Sequence, residues 1–158
     1  MQANSTRSDL AQLTPDEAQK MEEFVQLSFD FARQNDVESL KIMLDHGLSV
    51  NLANHRGDTL LMLASYNNAI ESVRLLLDYG ANIDLVNNRN QTPLSGALFK
   101  GYDEVCFLLI ERGANIHTGT PSSLNCAIMF NRKKILDLML KDTKLNFWQR
   151  ILKFLRVR

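Results

Sequence analysis

Three copies of one short pattern, each ending in glycine, recur along this chain at a constant distance. The glycines are Gly47, Gly80 and Gly113, and their equal spacing defines a 33-residue period. A triplet of large apolar residues stands three positions before each glycine. A fixed period of this length predicts a stack of equivalent supersecondary units, none of which can bury its apolar side without its neighbours.

A second pattern repeats with the same period. Thr59 and Thr92 each precede a leucine-containing run, and Ala64 and Ala97 follow five positions later. A threonine hydroxyl can accept the unpaired N–H groups at a helix start, and Pro93 fits the first helical position because no donor is needed there. Each period therefore predicts two helices, the second ended by a left-handed glycine.

With its Thr-Pro-Leu opening over 92–94 and the Leu-Leu-x-x-Gly-Ala close, the chain resembles the ankyrin repeat family. The match is most specific over residues 36–118 and weaker over about 24–143. The resemblance implies an all-α solenoid of helix-turn-helix units with β-hairpin-like finger loops. We expect one repeat domain over 14–143, with units at about 14–52, 53–85, 86–118 and 119–143.

Both ends depart from the repeated pattern. Thr14, Pro15 and Glu17 form a capping-box sequence, which predicts a long helix from about 15 to 33 in a first unit without a finger. In the fourth unit, Ala127 follows Ala97 by less than one full period. Terminal units are atypical because they cap the stack, and residues 1–13 are expected to be disordered.

The last residues, NFWQRILKFLRVR, have an amphipathic pattern with basic residues between the apolar ones. Such a helix over 144–158 could lie on an anionic membrane. The residues for that contact are Phe147, Trp148, Arg150 and Lys153. The alternative, which we favour here, is a cap over the exposed end of the fourth unit.

The resemblance implies binding of another protein through the finger tips and the exposed face of the first helices. The residues at those places are predicted to contact the partner. They are His55, Arg56, Asp58, Tyr66, Asn67, Asn88, Arg89, Gln91, Phe99, Lys100 and Met129.

Tyr66, Phe99 and Met129 occupy equivalent places in three successive units. A stack would align them in one apolar row, which has the composition of an interface centre. The alternative is that these side chains only pack on their neighbours. Arg56 and Arg89 beside the row suggest an acidic partner, although Asp58 dilutes that charge.

Catalytic motifs are absent from the sequence. Ser95 lacks the flanking glycines of a nucleophile elbow, and Gly96 and Gly101 lack the lysine that completes a phosphate-binding loop. Cys106 and Cys126 lie in apolar contexts typical of buried thiols. The three histidines lie in separate turns, so we expect no metal, no cofactor and no enzymatic activity.

The 18 basic and 18 acidic residues balance, which gives no reason to expect nucleic-acid binding. No signal peptide and no run of about 18 apolar residues is present in the sequence. We therefore expect a cytoplasmic monomer, similar to small bacterial ankyrin proteins. Peripheral attachment to a membrane and delivery into host cells as an effector are the alternatives.

Overall fold

The computed structural model describes residues 14–141, which form pairs of antiparallel helices joined by short turns and finger loops. In chain order the helices are α1 (Pro15–Gln34), α2 (Val37–Asp45), α3 (Leu60–Tyr66), α4 (Ile70–Asp78), α5 (Pro93–Lys100), α6 (Asp103–Glu111) and α7 (Ser123–Met129). Residues 133–141 are also helical and are called α8. Each helix pair is one unit, so that the described residues contain four units.

A hydroxyl side chain begins the first helix of every unit. Each of these residues has an extended backbone, and its side-chain oxygen accepts the N–H three positions further on; they are Thr14, Thr59, Thr92 and Ser122. At Thr14 and Thr92 the residue three positions ahead also accepts the cap's own N–H, which completes the predicted capping box at Thr14. Such a cap contributes about 1 kcal/mol to a helix.

One left-handed residue makes the turn between the two helices of each unit. Asparagine and glycine tolerate this conformation, and the four positions are Asn35, Asn68, Gly101 and Asn131. The second helices of the first three units end before a glycine with positive φ, as the repeated pattern predicts.

The units stack side by side in two layers. The first helices α1, α3, α5 and α7 pack successively against one another, and α2, α4 and α6 do the same in the outer layer. Ala64 and Ala97 are completely buried, and their small side chains let the first helices approach closely. Leu76 and Leu109 are buried between the layers. The predicted all-α stack is confirmed.

Polar links between residues of successive units hold those units in register. The N–H of Asn82 donates to Asn51 Oδ1 at 2.8 Å, and the N–H of Asn115 donates to Asp84 Oδ1 at 2.9 Å. Asn51 and Asp84 are themselves one period apart, so the same link repeats along the stack.

A second series of links joins the ends of the outer helices. The Tyr79 hydroxyl donates to the carboxylate of Asp45, and Arg112 Nη1 lies 2.8 Å from Asp78 Oδ1. Hydrogen bonds from Lys41 and then Tyr79 hold the pKa of Asp45 below its usual value. In both links, a residue of the following unit is a partner of the carboxylate.

Two predicted segments lie outside the described residues. They are the disordered N-terminus over 1–13 and the helix or cap over 144–158, with Phe147, Trp148, Arg150 and Lys153. The end of the predicted fourth unit, residues 142–143, lies outside as well.

Candidate functional site

The finger of the second unit is a tight hairpin-like loop built around one asparagine. Asn54 Oδ1 accepts the backbone N–H groups of Arg56 at 2.9 Å and Asp58 at 3.0 Å. An antiparallel bridge between Ala53 and Thr59 closes the base of the loop. Because one side chain satisfies two donors, the loop has a defined shape without a sheet.

The finger of the third unit repeats this geometry one period later. Asn87 Oδ1 accepts the backbone N–H groups of Arg89 and Gln91, both at 3.0 Å. Asn87 is buried, and Arg89 at the tip is exposed. The asparagine at the base of each finger therefore positions an exposed arginine two positions further on.

The two fingers are bonded to each other. The backbone N–H of Asn88 donates to the carbonyl of Arg56 at 3.0 Å, and its side-chain amide donates to the carbonyl of His55 at 3.2 Å. Asn87 Nδ2 donates to Asp58 Oδ1 at 2.8 Å. These three bonds fix the finger tips relative to each other, so that they present one continuous surface.

Asp58 lies beneath this surface, where it is only 6% exposed. Arg56 Nε lies 3.3 Å from Asp58 Oδ2, so the carboxylate forms an ion pair with Arg56 and accepts a hydrogen bond from Asn87. Arg89 forms no ion pair within residues 14–141. Because Arg56 is paired with Asp58, Arg89 is the arginine of the two fingers that remains free for a partner's carboxylate.

Next to the fingers, the predicted row of apolar side chains lies on the inner helices. Tyr66 is 36% exposed, Phe99 58% and Met129 67%. The Lys100 ammonium lies 5.0 Å from the centre of the Tyr66 ring, and the Phe99 and Phe130 rings meet edge to face at 5.6 Å. Tyr66 and Phe99 therefore touch their neighbours, as the alternative predicted, and still remain accessible.

A cleft of about 260 Å³ separates the fingers from helices α3 and α5. Arg56, Arg89, Tyr66 and Met62 line it. Its helical wall includes Gly96, where a Cβ atom would lie 3.4 Å from the Tyr66 ring and 3.6 Å from the Met62 sulfur. Glycine inside a helix costs about 0.5–1 kcal/mol, and here it leaves the space beside Tyr66 open.

The eleven predicted partner-binding residues divide into two groups. Seven present exposed side chains on the fingers and inner helices: His55, Arg56, Tyr66, Arg89, Phe99, Lys100 and Met129. The other four use their side chains within the fold: Asp58, Asn67, Asn88 and Gln91. The part of all eleven residues in partner binding stays a prediction.

The predicted set also omitted residues that shape the surface. Gly96 and Met62 line the cleft and were not among the predicted residues. A glycine in the middle of a predicted helix is a sequence signal of a packing or functional reason at that place, but its position beside Tyr66 follows only from the stacking of the units.

Candidate metal ligands and thiols are the next groups of the described residues that bear on the chemistry of the site. Among residues 14–141, no three histidine, cysteine, aspartate or glutamate side chains come together as metal ligands. Cys106 and Cys126 are free and buried, as predicted. Burial raises the pKa of the Cys106 thiol to about 12, which keeps it in the unreactive neutral form.

Helices of residues 14–141 are all either too short or too polar to cross a membrane.

Known proteins resemble this chain in sequence. Residues 29–120 match the family model for ankyrin repeats, described as three copies. A Pseudomonas aeruginosa protein described as an ankyrin repeat protein is 49% identical to this chain over 53 residues. That alignment covers 34% of this chain and 31% of the relative, so the matched part spans about a third of the relative's length.

Proposed function

Because the chain belongs to the ankyrin repeat family, we propose that it is a non-enzymatic protein that binds another protein through its finger tips and inner helix face. Ankyrin repeats generally serve as protein–protein interaction modules. The observation that carries the proposal is the exposed row of Tyr66, Phe99 and Met129 beside exposed cations.

Rigidity of the surface supports this function. The bonds from Asn87 and Asn88 to the preceding finger hold both tips in place before any partner arrives. A pre-formed surface loses little conformational entropy on binding, so more of the contact energy contributes to affinity. Side chains that contact each other, such as Phe99 and Phe130, are restrained in the same way.

The composition of the surface favours a partner with acidic and apolar side chains. Aromatic residues, methionine and arginine are enriched at interface centres, and Arg89 is available for a carboxylate. The cleft of about 260 Å³ is smaller than the pockets of about 300–1,000 Å³ that hold small-molecule ligands. We infer that it takes one side chain of a protein partner.

Affinity capture from the lysate of the native cell tests the proposal. Wild type is compared with the triple variant Tyr66→Ala/Arg89→Ala/Phe99→Ala, which changes only exposed positions. Its matched control is Ile42→Ala/Arg74→Ala, because these residues are exposed on the outer helices. Circular dichroism and thermal unfolding establish that both variants are folded.

The expected result is a partner that wild type and the outer-helix variant retain and the triple variant loses. Titration calorimetry with the purified partner should then give a weaker affinity for Arg89→Gln, with less dependence on salt. A partner bound equally by all three proteins would contradict the proposed surface.

A further inference from the structure

A groove of about 480 Å³ lies at the first unit, between α1 and the finger of the second unit. Four apolar side chains line its helical wall: Ala18, Met21, Val25 and Phe29. They follow one another at intervals of three and four residues, so they share one face of the helix. Phe29 is only 1% exposed, whereas Met21 is 44% exposed. The groove therefore has an apolar wall that is partly open to solvent.

The first unit has a helix where the next two units have a finger. Ala53 and Thr59 bound the finger of the second unit, and the residues one period earlier, 20–26, lie inside α1. A helix presents mainly side chains to its surroundings, because its backbone N–H and C=O groups bond to each other. The finger of the second unit consequently has no neighbouring finger on this side.

One hydrogen bond between fingers is thereby left unmade. In the third unit, the backbone N–H of Asn88 donates to the carbonyl of Arg56 in the preceding finger. His55 is one period before Asn88, and it lines the groove. Its backbone N–H forms no hydrogen bond within residues 14–141. The second finger therefore offers a backbone donor at the place where a preceding finger would accept it.

The helical wall of the groove also carries negative charge. Residues 14–29 contain four acidic residues and one basic residue, a net charge of −3. The basic residue, Lys20, is paired with Asp16 at 2.6 Å. Glu22 lines the groove and is exposed, and its carboxylate forms no ion pair or hydrogen bond within residues 14–141. A cation of a partner would therefore find a free carboxylate beside the apolar wall.

We propose that the groove binds an extended segment of another protein in which apolar and basic residues alternate. Successive side chains of an extended chain point to opposite sides, so the apolar ones enter the groove and the basic ones stay at its rim. An apolar side chain packs against Met21 and Val25, and a lysine or arginine pairs with Glu22. One backbone carbonyl of the segment accepts the N–H of His55.

This mode of binding adds an extended segment to an open backbone edge, where main-chain bonds give affinity and side chains give specificity. The site goes beyond the protein-binding surface proposed above, with which it shares only His55. The groove belongs to the first unit and its neighbouring finger, whereas Tyr66, Phe99 and Met129 lie on the inner helices of the next three units. Each site can therefore be tested without changing the other.

Fluorescence anisotropy with labelled peptides and the full-length protein tests the proposal. The probe is a peptide that alternates valine with lysine, because β-branched valine favours an extended chain. One control peptide alternates serine with lysine and keeps only the charge. Another alternates valine with glutamate and keeps only the apolar residues. The expected result is saturable binding of the valine–lysine peptide alone, weakened by salt because screening reduces the attraction to Glu22.

Matched variants at exposed positions of α1 connect this signal to the groove. Met21→Lys should weaken binding by about tenfold or more, because it removes apolar contact and repels the lysines of the probe. Leu27→Lys, at a position of similar exposure (47%) outside the groove, should leave binding nearly unchanged. Glu22→Gln should weaken binding by about two- to fivefold, as expected for one exposed charge pair. Its control, Glu23→Gln, removes the same charge from the next position.

Hydrogen exchange resolved by NMR reports the backbone bond. The His55 N–H should exchange rapidly in the free protein and slowly when the valine–lysine peptide is bound. The Asn88 N–H already donates to Arg56, so its exchange should not change.

Several outcomes would overturn the proposal. Absence of binding, or equal binding of the serine–lysine peptide, would show that the apolar wall takes no part. Resonance shifts at Tyr66 instead of Met21 would assign the contact to the other surface. A His55 N–H that is protected in the free protein and released by Met21→Lys would mean that a segment of this chain fills the groove. Protection that rises with protein concentration would mean that a second copy fills it.

Discussion

The third and fourth units contain the same pair of helices, yet their surroundings differ. In the third unit, the finger is bonded to the preceding finger, and Leu98 is completely buried by the unit that follows. In the fourth unit the loop is shorter, and Ile128 at the place of Leu98 is 57% exposed.

Whether a side chain in this stack is buried depends on the units beside it more than on its place in its own unit. Leu98 is a core residue because the fourth unit packs on it. Ile128 has the same place in its helix and becomes a surface residue because no helix of residues 14–141 covers it. The middle of the stack therefore buries the equivalent side chain completely, and the last described unit leaves it exposed.

The largest expected difference in the free energy of unfolding is between truncation of Leu98 and truncation of Ile128. Leu98→Ala should lower the free energy of unfolding by about 2–5 kcal/mol, because it opens a cavity in the core. Ile128→Ala should cost less than about 1 kcal/mol, because the side chain is largely exposed. Urea unfolding followed by circular dichroism measures both. Equal losses would mean that Ile128 is as well covered in solution as Leu98.

A second comparison concerns the bonded fingers. Gly57 and Gly80 both have positive φ, but a Cβ on Gly57 would lie 3.0 Å from the Asn88 backbone nitrogen, and a Cβ on Gly80 meets nothing within 4 Å. Gly80→Ala should cost about 1–2 kcal/mol from backbone strain alone.

Gly57→Ala should cost about 1 kcal/mol more, because the added methyl group also pushes the two fingers apart. Urea unfolding gives both values, and hydrogen exchange at the Asn88 N–H reports the separation. If both variants lose the same free energy and Asn88 stays protected, the contact between the fingers does not hold them together.

A smaller difference in the free energy of unfolding should distinguish substitutions at two exposed lysines. Lys100→Gln removes the contact with the Tyr66 ring of the preceding unit and should cost about 0.5–1 kcal/mol. Lys133→Gln, on the end unit, removes no ion pair within residues 14–141 and should leave the free energy of unfolding unchanged. Thermal unfolding at low and high salt would check this, and an equal effect of both substitutions would reject the cation–ring contact.

The last prediction concerns the two thiols, whose titration changes the free energy of unfolding only at alkaline pH. Burial raises the pKa of Cys106 from its usual value near 9 to about 12, and it also raises that of Cys126. A raised pKa in the folded state contributes stability below the unfolded value. The Cys106 contribution should therefore be complete at neutral pH and disappear as the pH rises from about 9 to about 12.

Urea unfolding across that range, with Cys106→Val as the control, isolates the contribution because the variant lacks the thiol. A thiol-specific reagent should also modify Cys126 of the end unit before Cys106, which is completely buried. Modification of Cys106 first would show that the third unit opens more readily than the fourth.

Where helices begin and end could be predicted from the sequence, because those signals act over a few residues. Thr59 and Thr92 cap the helices that follow them, and Gly80 and Gly113 adopt positive φ after the helices that precede them. The repeat period also indicated that Tyr66, Phe99 and Met129 occupy equivalent places in successive units, but it left their exposure open, and the structure shows all three exposed.

Contacts between units were harder to predict, because they depend on distances that a periodic pattern does not contain. Asp58 was predicted as a surface charge, but it meets Asn87 of the next finger and is buried. The cleft beside Gly96 exists only because that residue faces Tyr66 of another unit. Neither could be inferred without the stacking geometry.

The links from Asn82 to Asn51 and from Asn115 to Asp84 have a consequence for how such a chain can lengthen. The second unit supplies a backbone donor, Asn82, to the unit before it and a side-chain acceptor, Asp84, to the unit after it. A gene duplication that inserts one more copy of the repeat would therefore find both partners already in place. The length of the stack can change over evolution without a new set of contacts at the junction.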